Sequence, residues 1–325
     1  MKIRKATKRE ILKIANGFDL GVLNSYKLIK GGLVNHNYLV ETQKGDYIIR
    51  IMGDGSPKKL KHLKLQFRIF DYLKRNKFPY LLPHPLKTKD SKAILNIGSK
   101  KIWVYEMIEG KNYDRPNIPQ IRLMARALAV YHQFISGFKG EKQKDESEKR
   151  IIKGFEKMQK ITVHNAADRL ALKYRDYFKD VFNSVRKIKS TQKLLFVHGD
   201  FDSSNVLFSK GKLIGIIDFD ETFYSPRIFD VSISIRDSCY TTSGKFDIKK
   251  VNLFLREYEK VSKLSKEEKD MIIPIILKAN VDFFVWAYIE MKKEKENKGK
   301  YMREMINSTE NIIKNKEKIQ EAIMK

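Results

Sequence analysis

Residues 194–220 read LLFVHGDFDSSNVLFSKGKLIGIIDFD, and this pattern is the strongest indication of the fold. Three short apolar runs alternate with clusters of glycine and polar residues, which is typical of β-strands joined by tight turns. The first run ends in HGD at 198–200, and the third ends in DFD at 218–220. Polar side chains gathered at strand ends are typical of catalytic loops on a rigid scaffold.

Three of these polar residues have a spacing that suits phosphoryl transfer. Asn205 follows Asp200 by five residues, and Asp218 follows Asn205 by thirteen. Phosphoryl transfer needs a carboxylate near the attacking hydroxyl and oxygen ligands for the metal ion on the nucleotide phosphates. For each residue alone, a solvated polar turn is the simpler interpretation. The three together, each at a strand end, predict a phosphotransferase site.

The motif HGD-x-x-x-x-N at 198–205, followed by IDFD at 217–220, resembles the aminoglycoside phosphotransferase and choline kinase family of kinase-like enzymes. The resemblance implies that Asp200 is the catalytic base. It also implies that Asn205 and Asp218 are the ligands of a Mg²⁺ ion. For Asp220 two roles stay open, a ligand of a second ion or a substrate contact.

A second motif downstream carries the same resemblance. Residues 225–231, SPRIFDV, are similar to the family's G-D-P-x-x-D-[LV], with Ser225 in place of the acidic residue. The resemblance implies that Asp230 is structural and holds the catalytic loop through backbone hydrogen bonds. His198, next to the catalytic carboxylate, is expected to hold the loop rather than to act as a base.

The resemblance implies an α+β, bilobal, protein-kinase-like fold. Residues 1–107 are expected to form a small nucleotide-binding lobe, built on a five-stranded antiparallel sheet with one helix. Residues 108–325 are expected to form a larger, mostly helical lobe for catalysis and substrate binding. The boundary is placed where the sequence pattern changes from mainly strands to mainly helices, near 107–110.

The N-terminal part offers candidates for nucleotide binding. Gly31, Gly32 and Asn35 lie in a turn between the first two predicted strands, where backbone N–H groups would cover phosphates. The pattern G-G-x-x-N alone fits a plain hairpin turn equally well. In the resembling family the segment after the fifth strand is a hinge, so Glu106 and Ile108 are expected to contact the nucleobase through their main chain.

The chain departs from the kinase pattern on its third predicted strand. Kinase-like folds usually carry a lysine there, which contacts the phosphates and pairs with a glutamate on the next helix. This chain has Arg50 and, at the helix position, Gln66. A guanidinium is always charged and can bind two phosphate oxygens. We therefore predict Arg50 as the phosphate-positioning cation, with Gln66 accepting one hydrogen bond from it; a solvated strand residue is the alternative for Arg50.

The composition excludes several classes of protein. The 325 residues carry a net charge of +27, but the lysines are spread along the chain and no basic run is interleaved with aromatics, so no nucleic-acid partner is expected. The single cysteine, Cys239, excludes an internal disulfide and a cysteine-based zinc site. Apolar runs such as 271–277 are shorter than a bilayer requires, and the first residues lack a signal-peptide pattern. A cytoplasmic protein without a membrane partner is expected, and its oligomeric state stays open.

These observations predict an ATP- and Mg²⁺-dependent enzyme that transfers the γ-phosphoryl group to a hydroxyl of a small molecule. The alternatives are a protein kinase or a nucleotide-binding regulatory protein of the same fold. A protein kinase is disfavoured because HGD replaces the usual His-Arg-Asp, and because Phe229 follows Asp218 by only eleven residues, which leaves little room for an activation loop. The three oxygen ligands disfavour a regulatory protein.

The acceptor is the most open part of the prediction. Homoserine, sugar, choline and aminoglycoside classes all occur among enzymes with these motifs. The segments IKGG at 29–32, NHNY at 35–38 and FVW at 284–286 faintly resemble the homoserine kinase branch of the family.

Overall fold

The computed structural model describes residues 5–29, 35–143, 145–186, 192–240, 246–291 and 295–325. By its contacts the chain divides into two compact units. The first comprises Met1–Lys111, Leu207–Lys210 and Ile214–Asp220, and the second comprises Asn112–Val206, Gly211–Leu213 and Glu221–Lys325. The long N-terminal segment of the first unit ends at Lys111, near the boundary expected between residues 107 and 108, and two short later segments join it. Asp218 and Asp220 belong, by their contacts, to the unit that contains the N-terminal sheet.

The first unit is built on a five-stranded antiparallel sheet, as predicted. The strands lie in the order β1-β2-β3-β5-β4. Their bounds are β1 Leu23–Leu28, β2 His36–Thr42, β3 Gly45–Ile51, β4 Leu95–Ile97 and β5 Lys100–Glu106. Two helices accompany the sheet, α1 Lys8–Gly17 and α2 Pro57–Arg75. The central strand β3 places Arg50 opposite Trp103 of β5.

The helices of the first unit begin where the sequence supplies caps. The side chain of Thr7 accepts a hydrogen bond from the Glu10 N–H, and the Glu10 carboxylate accepts one from the Thr7 N–H, which is the predicted capping box. Ser56 caps α2 by accepting from the Lys59 N–H, and Pro57 occupies the first helical position, where a missing N–H costs nothing. The buried face of α2 includes Gln66.

The predicted strands of the quoted segment are confirmed, and one further strand follows them. They are β6 Leu194–Val197, β7 Val206–Ser209 and β8 Lys212–Ile216. β7 pairs with β8 through a turn at Lys210 and Gly211, both of which have positive φ. β6 pairs antiparallel with β9, Phe223–Pro226, which the sequence did not predict.

The second unit is mostly helical. Its helices are α3 Ile118–Ile135, α4 Ser147–Met158, α5 Ala166–Val185, α6 Ile228–Ser238, α7 Ile248–Glu259, α8 Lys266–Asp270, α9 Ile272–Glu290, α10 Lys295–Lys314 and α11 Lys316–Met324. α9 packs against α4, α5, α6 and α10 and is the centre of this unit. The backbone of α4 comes close to α9 at Gly154, since a Cβ there would lie 2.0 Å from a methyl group of Val285.

The sequence predicts a long helix that begins at Ser265 and is disturbed at Pro274, and a final helix over 303–325; both are divided in the structure. The capping box at Ser265 opens only the short α8, and α9 begins separately at Ile272. Pro274 explains the break, because a proline ring clashes with the carbonyl four residues earlier, here that of Asp270, the last residue of α8. The predicted final helix 303–325 is also divided, since α10 ends at Lys314 and α11 begins at Lys316.

One segment of the described chain, Lys266–Ile289, is long and apolar enough to cross a membrane by length and composition alone. This corrects the expectation that every apolar stretch is too short. Half of its most apolar window is buried inside the protein, as is usual for the core helix of a globular domain. Cys239 is buried as well, as expected.

Candidate active site

The catalytic loop of the second unit begins directly after β6. Within it, the Asn205 side-chain nitrogen donates to the Asp200 carbonyl oxygen at 2.8 Å and to its carboxylate Oδ2 at 2.9 Å. The two predicted functional side chains are thus in direct contact. Because these bonds occupy the amide nitrogen of Asn205, its amide oxygen is the atom with which it would bind a metal ion.

Asp230, a fully buried residue of α6, holds the backbone of this loop. Its two carboxylate oxygens accept hydrogen bonds from the His198 N–H at 2.7 Å and the Gly199 N–H at 2.8 Å. The same carboxylate lies 3.0 Å from Nε2 of His132, whose other ring nitrogen lies 2.7 Å from the Tyr258 hydroxyl. The bonds that the resemblance implied for Asp230 are therefore present, and they fix the backbone immediately before Asp200.

Gly199 has two structural reasons to be glycine. Its φ is +86°, a left-handed conformation that side chains of L-residues rarely adopt. A Cβ at this position would lie 2.0 Å from the carbonyl oxygen of Glu221. The HGD sequence thus follows from the backbone path of this loop, and no larger residue fits at 199 without moving it.

Asp202 shapes the turn between Asp200 and Asn205. Its Oδ1 accepts from the Ser204 N–H at 2.7 Å, from the Ser204 hydroxyl at 2.6 Å and from the Asn205 N–H at 3.2 Å. Such a side-chain turn replaces a backbone turn and sets the direction of the residues that follow. Burial, and next the negative charge of Asp237, raise the pKa of the Asp202 carboxyl to about 6.

An arginine of α6 adds a partly buried positive charge. Arg236 binds Asp237 through two parallel hydrogen bonds of 2.9 and 3.0 Å, and its guanidinium lies 5.7 Å from the ring centre of Phe283. Burial would lower the pKa of Arg236, but the charges of Asp237 and then Asp200 raise it above the usual arginine value. Sequence reasoning missed Asp202, Arg236 and Asp237. For Arg236 and Asp237 the available signal was the charged pair RD near the end of a helix whose only other charged residue is Asp230.

In the first unit the predicted cation is buried and paired with both aspartates of the DFD motif. The Arg50 side chain is 8 % exposed, and its Nη2 donates to Asp218 Oδ1 at 3.0 Å and to Asp220 Oδ2. Burial would lower the pKa of the guanidinium, but the charges of Asp220 and Asp218 outweigh burial and raise it. The solvated alternative for Arg50 is therefore excluded.

Two amides complete this cluster around Asp220. The Asn35 side-chain nitrogen donates to Asp220 Oδ2 at 2.7 Å, and the Gln66 side-chain nitrogen donates to Oδ1 at 3.3 Å. Asn35 also accepts from the Gly53 N–H at 2.9 Å. The expected bond from the guanidinium to Gln66 is corrected: Gln66 donates to Asp220, and Asp220 in turn accepts from Arg50.

Asp218 has a backbone conformation that few residues adopt. Its φ is +62°, a region in which aspartate is tolerated better than most other residues. Such outliers gather at sites of function. Beside the cluster lies a cavity of about 30 Å³, lined among others by Arg50, Gln66, Trp103 and Asp220.

The other predicted nucleotide contacts are placed as follows. Gly31 and Gly32 lie outside the described residues. Glu106 is the exposed last residue of β5, opposite Tyr47. Ile108 follows it and packs against Gly215, where a Cβ would lie 3.0 Å from an Ile108 methyl group. The role of the backbone at 106–108 as a hinge stays a prediction.

Within the described ranges, no group of three or more His, Cys, Asp or Glu side chains is arranged to hold a metal ion. The predicted donors are instead one amide oxygen, on Asn205, and one carboxylate, on Asp218. Both are hard oxygen ligands of the kind that Mg²⁺ prefers, and such sites use few protein ligands because nucleotide phosphates and water supply the rest. The chemistry of the donor set therefore fits Mg²⁺ bound to a nucleotide.

The sequence model of a protein family described as "Phosphotransferase enzyme family" matches residues 25–264 of this chain. The chain belongs to this family. The predicted family and the predicted enzyme class, a small-molecule kinase, are confirmed by this membership and by the relatives. The matched region contains the HGD loop, Asn205 and the DFD motif.

Similar proteins agree with the membership. A homoserine kinase of Phenylobacterium zucineum (strain HLK1) is 24% identical over 282 residues, which are 86% of this chain and 84% of that protein. Among solved structures, the amicoumacin kinase hAmiN in complex with AMP-PNP, Ca²⁺ and Ami has a TM-score of 0.72 at 15% identity, over 94% of each chain. A microcompartment-associated aminopropanol kinase has a TM-score of 0.70 at 13% identity, over 95% of this chain and 98% of the other. These structures confirm the kinase-like fold.

Proposed function

We propose that this phosphotransferase moves the γ-phosphoryl group of ATP, bound with Mg²⁺, to the hydroxyl of homoserine or a closely similar hydroxy amino acid. The observation that carries the proposal is the catalytic loop. Asp200 and Asn205 are in contact there, and Asp230 fixes the backbone before them. A carboxylate held this rigidly can orient an incoming hydroxyl without reorganising during the reaction.

Each functional residue has a proposed role that its chemistry supports. Asp200 would accept a hydrogen bond from the acceptor hydroxyl, orient it and take its proton as the bond to phosphorus forms. Asn205 and Asp218 would hold Mg²⁺, which when bound offsets charge on the phosphate oxygens. Arg50 would bind phosphate oxygens of the nucleotide. Gly31, Gly32, Glu106 and Ile108 would contact the nucleotide through the backbone.

The acceptor class is supported by the charges around Asp200. Homoserine carries a carboxylate and an ammonium group besides its hydroxyl, whereas amino alcohols and choline have no carboxylate. Arg236 is a partly buried cation of α6, and the negative charge of Asp200 is among the causes that raise its pKa. Arginine is the side chain best suited to binding a carboxylate through two hydrogen bonds. Asp202 and Asp237 would accept from the ammonium group. The name of the relatives, homoserine kinase, points to the same class.

A panel of acceptors tests this proposal. Purified protein is given Mg·ATP with homoserine, ethanolamine, choline, a hexosamine, an aminoglycoside, a generic protein substrate or buffer, and ADP formation is measured. We expect turnover with homoserine far above the others. ADP formation with the protein substrate alone would favour the protein kinase alternative, and none with any acceptor would favour a regulatory protein. Turnover confined to ethanolamine would refute the acceptor class but keep the kinase class.

The role of Arg236 has its own test. Arg236→Gln removes the charge and keeps hydrogen-bonding capacity, so kcat/KM for homoserine should fall through KM. The loss of a charge-assisted pair corresponds to roughly 10- to 100-fold. Arg175→Gln is a matched control, since that arginine pairs with Asp176 on an exposed helix surface. An unchanged KM for homoserine in Arg236→Gln would exclude Arg236 as the carboxylate-binding residue.

The remaining features of the proposal follow from the same chemistry. The nucleotide is proposed to be ATP, and the neighbour with AMP-PNP and Ca²⁺ supports a metal-bound nucleotide in this family. A cytoplasmic location would suit an enzyme that uses ATP and a metabolite. Comparing ATP with GTP, and Mg²⁺ with no added metal, in the ADP assay tests both cofactors directly.

A further inference from the structure

The helix that follows β3 offers Arg50 no carboxylate. α2 extends over Pro57–Arg75, and its only acidic residue is Asp71. Asp71 is exposed and lies five residues after Gln66, about 140° around the helix from it. The residue that faces Arg50's cluster from α2 is the neutral, buried Gln66. A buried guanidinium without a counter-charge is costly, so its partner must come from another element.

Asp218 and Asp220 both pair with Arg50, and since Asp218 is the proposed metal ligand, Asp220 is the partner assigned to Arg50. Both of its oxygens are used: Oδ2 accepts from Arg50 and Asn35, and Oδ1 accepts from Gln66. One carboxylate therefore joins β3, α2 and the start of β2.

We propose that Asp220, the second aspartate of the DFD motif, is the positioning residue for Arg50 and replaces the carboxylate that kinase-like folds usually carry on the helix. Gln66 holds Asp220, and Asp220 orients the guanidinium for nucleotide phosphates. The proposal rests on the proposed function of Arg50. It assigns Asp220 a role other than the two left open for it, since three nitrogen donors already take three of the roughly four acceptor sites of its carboxylate.

The decisive experiment moves the carboxylate back to the helix. Asp220→Asn removes one of the two carboxylate charges that face Arg50 and leaves Asp218. We expect KM for Mg·ATP to rise roughly 10- to 100-fold while the KM for the acceptor stays within a few-fold. The double variant Gln66→Glu, Asp220→Asn places a carboxylate at the helix position, and the cavity beside Gln66 leaves space for it to approach the guanidinium. It should regain most of the lost affinity. Asp71→Asn is the matched control on the exposed side of α2 and should change nothing.

The Mg²⁺ requirement separates this role from metal binding. At saturating ATP, Asp220→Asn should need the same Mg²⁺ concentration for half-maximal rate as the parent protein. An increase of tenfold or more that the double variant does not reverse would make Asp220 a metal ligand and overturn the proposal. If the single variant does not fold, the double variant still decides: parent-like KM for Mg·ATP supports the proposal, and a KM raised tenfold or more overturns it.

A measurement without nucleotide tests the pairing of Arg50 with Asp220 independently of the proposed function. Urea unfolding of Arg50→Met, Asp220→Asn and their combination forms a double-mutant cycle. We expect the combined effect on the unfolding constant to be at least tenfold smaller than the product of the two single effects, because both variants break the same ion pair between Arg50 and Asp220. Independent effects would overturn the pairing of Arg50 with Asp220. Absence of any ATP turnover in the parent protein would instead refute the proposed function alone.

Discussion

Replacing Asp230 by asparagine tests how the catalytic loop is held. The carboxylate has two oxygens, and each accepts from one backbone N–H, His198 on one and Gly199 on the other. Asparagine keeps a single oxygen, so its NH₂ group must face one of the two donors. A buried donor without a partner costs about 1–3 kcal/mol. The remaining bond also loses its ionic character, worth about 1 kcal/mol more. We therefore expect Asp230→Asn to lower the free energy of unfolding by about 2–4 kcal/mol.

The same substitution should also lower the rate of catalysis, because Asp200 directly follows Gly199 and its position depends on this backbone. We expect kcat to fall at least tenfold with little change in KM for Mg·ATP. Urea unfolding at pH 7 measures the first effect and steady-state kinetics the second. The control is Asp176→Asn, which breaks an exposed pair with Arg175 and should cost less than about 1 kcal/mol. A loss of stability below 1 kcal/mol for Asp230→Asn, with kcat within threefold of the parent, would refute the reasoning.

Three further predictions concern the loop and its metal site. Asp200→Asn should lower kcat roughly 10²-fold or more with nucleotide binding retained, whereas Asp218→Ala should lose Mg²⁺-dependent nucleotide binding; calorimetry with Mg·ATP distinguishes the two. Gly199→Ala should lower the free energy of unfolding by at least about 1–2 kcal/mol because of the φ of +86°, and by more because the added methyl group meets a carbonyl oxygen. The thermal unfolding midpoint should therefore fall, and an unchanged midpoint would contradict the backbone path. Asp202 has a pKa of about 6 in the fold against an ordinary 3.8, so the folded state binds more protons than the unfolded state between these pH values. The protein should therefore lose stability as pH rises from about 4 to about 6, by at most about 3 kcal/mol at 1.36 kcal/mol per pKa unit. The free energy of unfolding of Asp202→Asn should lack this dependence on pH, and identical slopes in both proteins would contradict the prediction.

Local sequence signals predicted the elements of the fold well. The capping box at Thr7, the apolar runs at 194–197 and 206–208, and the helical spacing in α2 each depend on interactions between residues close in sequence, which is why they are visible without a structure. The short strand β9 was missed because its pairing with β6 is non-local and its four residues, FYSP, have no alternation. The break between α8 and α9 was anticipated from Pro274, whereas the break after α10 was missed because a continuous helical pattern runs across it.

The candidate site was predicted in its motif residues but not in their partners. Asp200, Asn205 and Asp230 lie where the motifs placed them relative to one another, because the spacing within a tight loop leaves little freedom. Arg236 comes from a helix 31 residues after Asn205, and no periodicity links the two. The sequence also could not show whether the Gln66 amide donates or accepts its hydrogen bond, because a glutamine side chain can do both.

The two units use buried carboxylates in complementary ways. In the second unit Asp230 is fully buried and accepts from backbone donors, so that the free energy of its burial is offset by fixed hydrogen bonds and the loop has one backbone path. In the first unit Asp220 accepts from one cation and two amides, so that the cation has one orientation. In both clusters, removing one group takes a hydrogen-bond partner from the groups that remain. The free-energy cost of that loss exceeds what the intact pair contributes to stability. Such clusters specify geometry more than they add stability, and geometry held before the substrate arrives is what phosphoryl transfer requires of a protein.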